Sequence, residues 1–87
     1  MILDCKVGEF IMYDYNICSD NSTEKFKMTC RKIENYFPNA EKRKLLVDVD
    51  GSTIQTYTVD GKDIDVYDDY DIGAVYVLSK IELPFIE

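Results

Sequence analysis

Residues 63–71 read DIDVYDDYD, five aspartates (Asp63, Asp65, Asp68, Asp69 and Asp71) interleaved with Tyr67 and Tyr70. In extended backbone, alternate side chains stand roughly 6.5–7 Å apart, close to the phosphate spacing along one nucleic-acid strand. Carboxylates so spaced can occupy an arginine or lysine cluster built for a phosphate backbone, and tyrosines add rigid contact area. A plainer explanation is a solvated acidic edge strand that discourages edge-to-edge aggregation. These seven residues form the candidate partner-binding set. The acidic turn residues Asp48, Asp50 and Asp60 would extend it, although turns favour aspartate in any case.

A second, smaller candidate is Tyr13-Asp14-Tyr15. Strand alternation puts Tyr13 and Tyr15 on one face with Ile11 and Ile17, so core burial is the expected fate of both rings. The bases Lys25, Lys27, Arg31 and Lys32, followed by Lys42, Arg43 and Lys44, suggest contact with nucleic acid. In so acidic a chain, a solvated face with internal charge balance is the better expectation.

Catalytic chemistry is poorly provided for. The chain has no histidine, the commonest general base. Its serines and cysteines lack a recognisable activating partner, and no GxGxxG or GxxxxGK[ST] run cradles a nucleotide. The expectation is a protein that is not an enzyme, with no catalytic residues and no cofactor. Cys5, Cys18 and Cys30 are odd in number and lack CxxC spacing, so they read as small buried hydrophobes rather than zinc ligands. Asp48-Val49-Asp50-Gly51 resembles a fragment of a calcium loop. It lacks the flanking helices and the glutamate at the twelfth position, and an Asp-Gly hairpin turn accounts for it without a metal.

Charge says most about partners. The chain holds 17 acidic and 10 basic residues, net −7, unevenly spread: −3 over residues 1–20, +4 over 21–44 and −8 over 45–87. So acidic a surface disfavours direct contact with nucleic acid or anionic membrane and favours a basic protein. The expected function is that of a small acidic inhibitor that occludes such a partner, a nuclease or another nucleic-acid-binding protein, by nucleic-acid mimicry. Phage-encoded anti-defence inhibitors, anti-CRISPR proteins among them, are often small and acidic, an analogy of class and not of sequence. The alternative is a structural or assembly module that pairs with a partner, or with itself as a homodimer, through an exposed edge strand and the Phe85-Ile86 tail. No run approaches the roughly 20 apolar residues of a membrane span. The opening MILDCKVGEF carries acids where a secretory leader needs a positive region, so a cytoplasmic protein is expected.

Eighty-seven residues suit one domain, 1–87. The one convincing helix spans 21–37: Asn21 or Ser22 offers an N-cap, Phe26, Cys30, Ile33 and Phe37 recur at helical period, and Pro38 ends it. The rest reads as strand or turn. Residues 2–7 alternate as a half-buried strand, Gly8-Glu9 turns it, and residues 10–17 form a second strand. After a polar link, residues 45–49, 52–59 and 62–67 form a meander through the turns Asp50-Gly51 and Asp60-Gly61, and residues 73–83 make a long last strand. Two-residue turns at both Asp-Gly pairs would point Ile54 and Ile64 to opposite faces, because a one-residue offset flips a strand. A three-residue second turn, Asp60-Gly61-Lys62, restores one face holding Val47, Ile54, Ile64 and Val66. The predicted architecture is α+β: a small antiparallel sheet in ββαββββ order with a single helix packed on one face.

Overall fold

The computed structural model describes residues 12–86. The predicted strand at residues 2–7, the Gly8-Glu9 turn, Cys5, Ile11 and the start of the second strand lie outside the described residues. Within them the chain runs β1 (Tyr13–Cys18), α1 (Thr23–Tyr36), β2 (Glu41–Lys42), β3 (Leu46–Val47), β4 (Thr53–Val59), β5 (Lys62–Asp69) and β6 (Ala74–Ser79). All strand pairs are antiparallel. They form one six-stranded sheet in the order β1-β6-β5-β4-β2, with β3 also on β4, and α1 covers one face as an α+β fold.

Helix α1 starts and stops where local chemistry dictates. Ser22, extended at φ −158°, accepts the Lys25 N–H on Oγ at 3.1 Å, and Glu24 sits in the first turn where the helix dipole favours an acid. At the far end the Phe37 N–H donates to Ile33 O at 2.8 Å. Pro38 then disfavours helical backbone at Phe37. Phe26, Cys30 and Ile33 are buried as their spacing predicts, joined by Thr29, whose hydroxyl donates to Lys25 O at 2.8 Å. Asn21 is a tie and not the cap. Its Nδ2 donates to Asp68 Oδ1 at 2.9 Å and to Asp69 O at 3.0 Å, pinning the helix entrance to the end of β5.

The two Asp-Gly turns correct the expected register. Asp60-Gly61 is a two-residue turn between Val59 and Lys62, with φ of 52° and 78°. Two successive positive φ values define a type I′ turn, whose twist matches the flanking strands. The longer loop is the first one. Asp48 N–H donates to Ser52 O at 2.8 Å and closes a loop of Val49, Asp50 and Gly51, with Gly51 at φ 93°. Side chains complete it, Asp48 Oδ1 accepting from the Val49 N–H and Asp50 Oδ1 from the Ser52 N–H. Ile64 therefore pairs with Tyr57 and Val66 with Gln55, while Ile54 pairs with Tyr67 on the opposite face. Ile64 and Val66 share a face with Tyr57, not with Ile54, Thr56 and Thr58. Tyr57 suits the core because its ring is buried while its hydroxyl reaches Glu34 at the rim.

Two further expectations change. The predicted strand 45–49 is shorter, and the polar link before it contributes β2, so residues 41–47 make one broken edge strand. The break is hydrogen-bonded: Arg43 N–H donates to Thr56 O at 2.9 Å, and Gln55 Nε2 donates to Arg43 O at 2.6 Å. The last strand ends at Ser79, not Leu83. There Ser79 Oγ accepts the Ile81 N–H and donates to Ile81 O, turning the chain back over the sheet. Leu83 and Ile86 then bury beside Phe26, Ile33, Tyr57, Ile64, Val66, Val75 and Val77, and Phe85 stacks on Tyr36 with ring centroids 4.2 Å apart. Each fully buried aliphatic chain contributes about 1.5–3 kcal/mol by leaving water, so this set supplies most of the adhesion between helix and sheet.

Candidate partner-binding surface

Strand β5 holds most of the acidic segment, and it is not an edge: β4 and β6 flank it. An aggregation-blocking edge therefore cannot explain its aspartates. Alternation splits the segment in two. Asp63, Asp65, Tyr67 and Asp69 point away from the helix, while Ile64, Val66 and Asp68 point towards it. Asp68 is only 3% exposed and accepts from Asn21, so it anchors the helix entrance and stays out of a partner's reach. Tyr70 and Asp71 follow in the exposed turn before β6.

On the open face, threonines of β4 hold two carboxylates in place. Thr58 donates to Asp63 at 2.9 Å and Thr56 to Asp65 at 2.8 Å. Those bonds fix rotamers while leaving the remaining carboxylate lone pairs for a donor from outside. Asp69 is more fully employed. It accepts the Tyr76 hydroxyl at 2.8 Å and the N–H groups of Asp71 and Ile72, and these bonds, the Tyr76 one first, hold its carboxyl below the usual aspartate range. The same contact, after burial, pushes the Tyr76 phenol up. Asp69 therefore shapes the β5–β6 turn as well as charging the face.

Sequence reading did not find the neighbours of this row. Tyr76 stacks on Tyr67 with centroids 4.8 Å apart and planes 9° apart. Across the sheet, Ile54, Tyr67, Tyr76 and Asn16 stand in one row, and Thr56, Asp65, Leu78 and Asp14 in the next. Arg43 comes to the flank, its guanidinium donating to Thr58 at 3.3 Å. Period-two alternation on β6 identifies Tyr76 and Leu78 as facing away from Val75 and Val77, but the strand order was needed to set them beside β5. Of the Tyr13-Asp14-Tyr15 candidate, only Asp14 joins the open face. Tyr15 packs on the core and its hydroxyl accepts the Leu83 N–H at 2.8 Å, while Tyr13 stays exposed on the β1 edge.

One corner of the sheet gathers exposed apolar side chains. Leu46 and Val47 of β3, Val49 of the first loop, and Tyr70 and Ile72 of the β5–β6 turn are all solvent-exposed. The two loops are tied together: the Tyr70 N–H donates to Ser52 Oγ at 2.8 Å, and the Tyr70 ring lies against Gly51. Monomeric soluble proteins seldom display such groupings without a use for them. Asp48, Asp50 and Asp71 lie in the same loops.

Comparison with protein-family models, with curated proteins and with solved structures returns no match. Among the described residues no helix is long and apolar enough to cross a membrane.

Proposed function

We propose that the protein is a small acidic binding protein whose open sheet face docks on a basic, nucleic-acid-handling partner and occludes the surface that partner uses for phosphate. The observation that carries this reading is the placement of Asp63, Asp65 and Asp69 on one face of a central strand, the first two one strand repeat apart and Asp69 two repeats further on, past Tyr67. They stand beside the stacked Tyr67 and Tyr76, on a face that no other described element covers. Alternate positions of one strand give the roughly 6.5–7 Å repeat that a phosphate-reading cluster of arginines accepts, and stacked tyrosines supply flat, preorganised contact area. Tyr70 and Asp71 extend the contact at the corner, with Leu46, Val49 and Ile72 as its apolar part. A nuclease is the favoured partner, in the manner of phage inhibitors of bacterial defence.

The test is capture from bacterial lysate by the wild-type protein and by the triple variant Asp63→Asn, Asp65→Asn, Asp71→Asn, each at low and at high salt. A basic nucleic-acid protein should be retained by the wild type at low salt, released at high salt, and lost by the variant at both. Equal retention by both proteins overturns carboxylate mimicry.

A second reading has its own observation. The outer edge of β3 exposes Leu46 and Val47, which suits self-association through that edge. The Phe85-Ile86 tail does not help this reading, because Ile86 belongs to the core. Sedimentation at two concentrations separates the readings. Self-association that vanishes in Val47→Lys favours the edge, and a monomer at both concentrations removes it.

A further inference from the structure

On the covered side, α1 packs against β5 and β1, and a cleft remains over β4 between the helix and the broken edge strand. Its volume is about 280 Å³. The buried residues Tyr57 and Gln55 line it deepest, and Phe26 and Leu45 give it apolar walls. Lys27 and Arg31, one helical turn apart, stand on one side and Lys42 of β2 on the other. The single carboxylate is already engaged: Glu34 accepts the Tyr57 hydroxyl at 2.5 Å and pairs with Lys42 Nζ at 3.1 Å. Those contacts, the phenol first, hold the Glu34 carboxyl below its usual range, so it stays charged and bonded at neutral pH. Lys42 and Glu34 offset each other, so Lys27 and Arg31 leave this lining net positive, inside a chain whose net charge is −7.

We propose that this cleft is a binding site for a compact organic anion. Its carboxylate or phosphate head would sit among Lys27, Arg31 and Lys42, and its short apolar body against Phe26 and Leu45. The volume falls just under the range of about 300–1,000 Å³ typical of drug-sized ligand sites, which suits a single-ring or short-chain anion. Arginine supplies a planar, bidentate donor and the two lysines compact charges, the mixture that recognises carboxylate and phosphate. Gln55 is held rigid, donating to Arg43 O and Thr56 O, so the deep end of the cleft is preorganised. The acidic open face lies on the other side of the sheet, and this site is independent of it.

The experiment is an amide NMR titration of the full chain with phenyl phosphate and with benzoate, and with benzyl alcohol as the uncharged counterpart. Saturable shifts should appear for either anion at Lys27, Arg31, Lys42 and Gln55. The double variant Lys27→Gln, Arg31→Gln should weaken binding by at least about tenfold, the scale of one lost charge-assisted contact. The double variant Lys25→Gln, Lys32→Gln removes the same charge from another flank of the helix and should change affinity less than about twofold. The proposal is overturned by equal loss in both variants, by equal binding of benzyl alcohol, or by no saturable shift with either anion.

Discussion

The two faces of strand β5 are built from the same eight residues and follow opposite rules. Towards the helix, Ile64 and Val66 are fully buried, and the one charged residue buried there, Asp68, is bonded to Asn21. Away from it, Asp63, Asp65 and Asp69 each accept from a hydroxyl of a neighbouring strand, and Tyr67 lies flat on Tyr76. The contrast teaches that an acidic run in sequence need not be an acidic surface. The pleat divides it, and only the residues on the uncovered side remain for a partner. Buried methylenes hold the covered face together, and hydrogen bonds that leave charges accessible organise the open one.

The sharpest test of that contrast is to truncate the same residue type on each face. Ile64→Ala should cost about 2–5 kcal/mol, since it leaves a cavity under α1. Ile54→Ala, half-buried on the open face, should cost no more than about 1 kcal/mol. Urea unfolding measures both, and equal losses would show that the open face is packed as a core.

A smaller effect is expected in the cleft on the covered side, between α1 and β4. Tyr57→Phe keeps the buried ring and removes the hydroxyl that donates to Glu34. A hydrogen bond to a charged group contributes roughly 1.5–3 kcal/mol, and the Glu34 side chain is 41% exposed, so solvent screening reduces the expected loss to about 1 kcal/mol.

The smallest expected effects are in the pH profile. Glu34 and Asp69 titrate below their ordinary values of 4.5 and 3.8, so the stability they contribute is present above those values and drains away as pH falls through the folded-state ones. Burial raises the Cys30 thiol from 9.0, and burial followed by the Glu34 bond raises the Tyr57 phenol from 10.0. Their contribution is full below pH 9 to 10 and is lost as pH climbs through the raised values. Stability should therefore be flat between about pH 5 and 9 and fall on both sides. In Tyr57→Phe the acid-side fall should shrink, because Glu34 loses the first cause of its shift. Superimposable acid limbs for the two proteins would break the assignment.

Much of this was legible in the chain. Ser22 and Pro38 mark the helix because a capping hydroxyl and a ring that excludes helical backbone before it act locally. The stripe Phe26–Cys30–Ile33 and the alternation of β5 and β6 are likewise periodic, so the α+β architecture and the split of residues 63–69 into two sets were available without coordinates. Which Asp-Gly pair makes the tighter turn was not. Both pairs satisfy the same local preferences, and the choice falls to the register that sets Tyr57 and Ile64 together under α1. Nor was Tyr57 itself recognisable as core, since its hydroxyl needs Glu34, twenty-three positions away. The strand order that brings Tyr76 beside Tyr67 and the return of Leu83 and Ile86 are long-range too. So is the gap over β4 that sets Lys42 across from Arg31. Sequence determines what depends on neighbours within a turn or a strand; contacts between distant segments are decided only when the whole sheet and helix exclude water together.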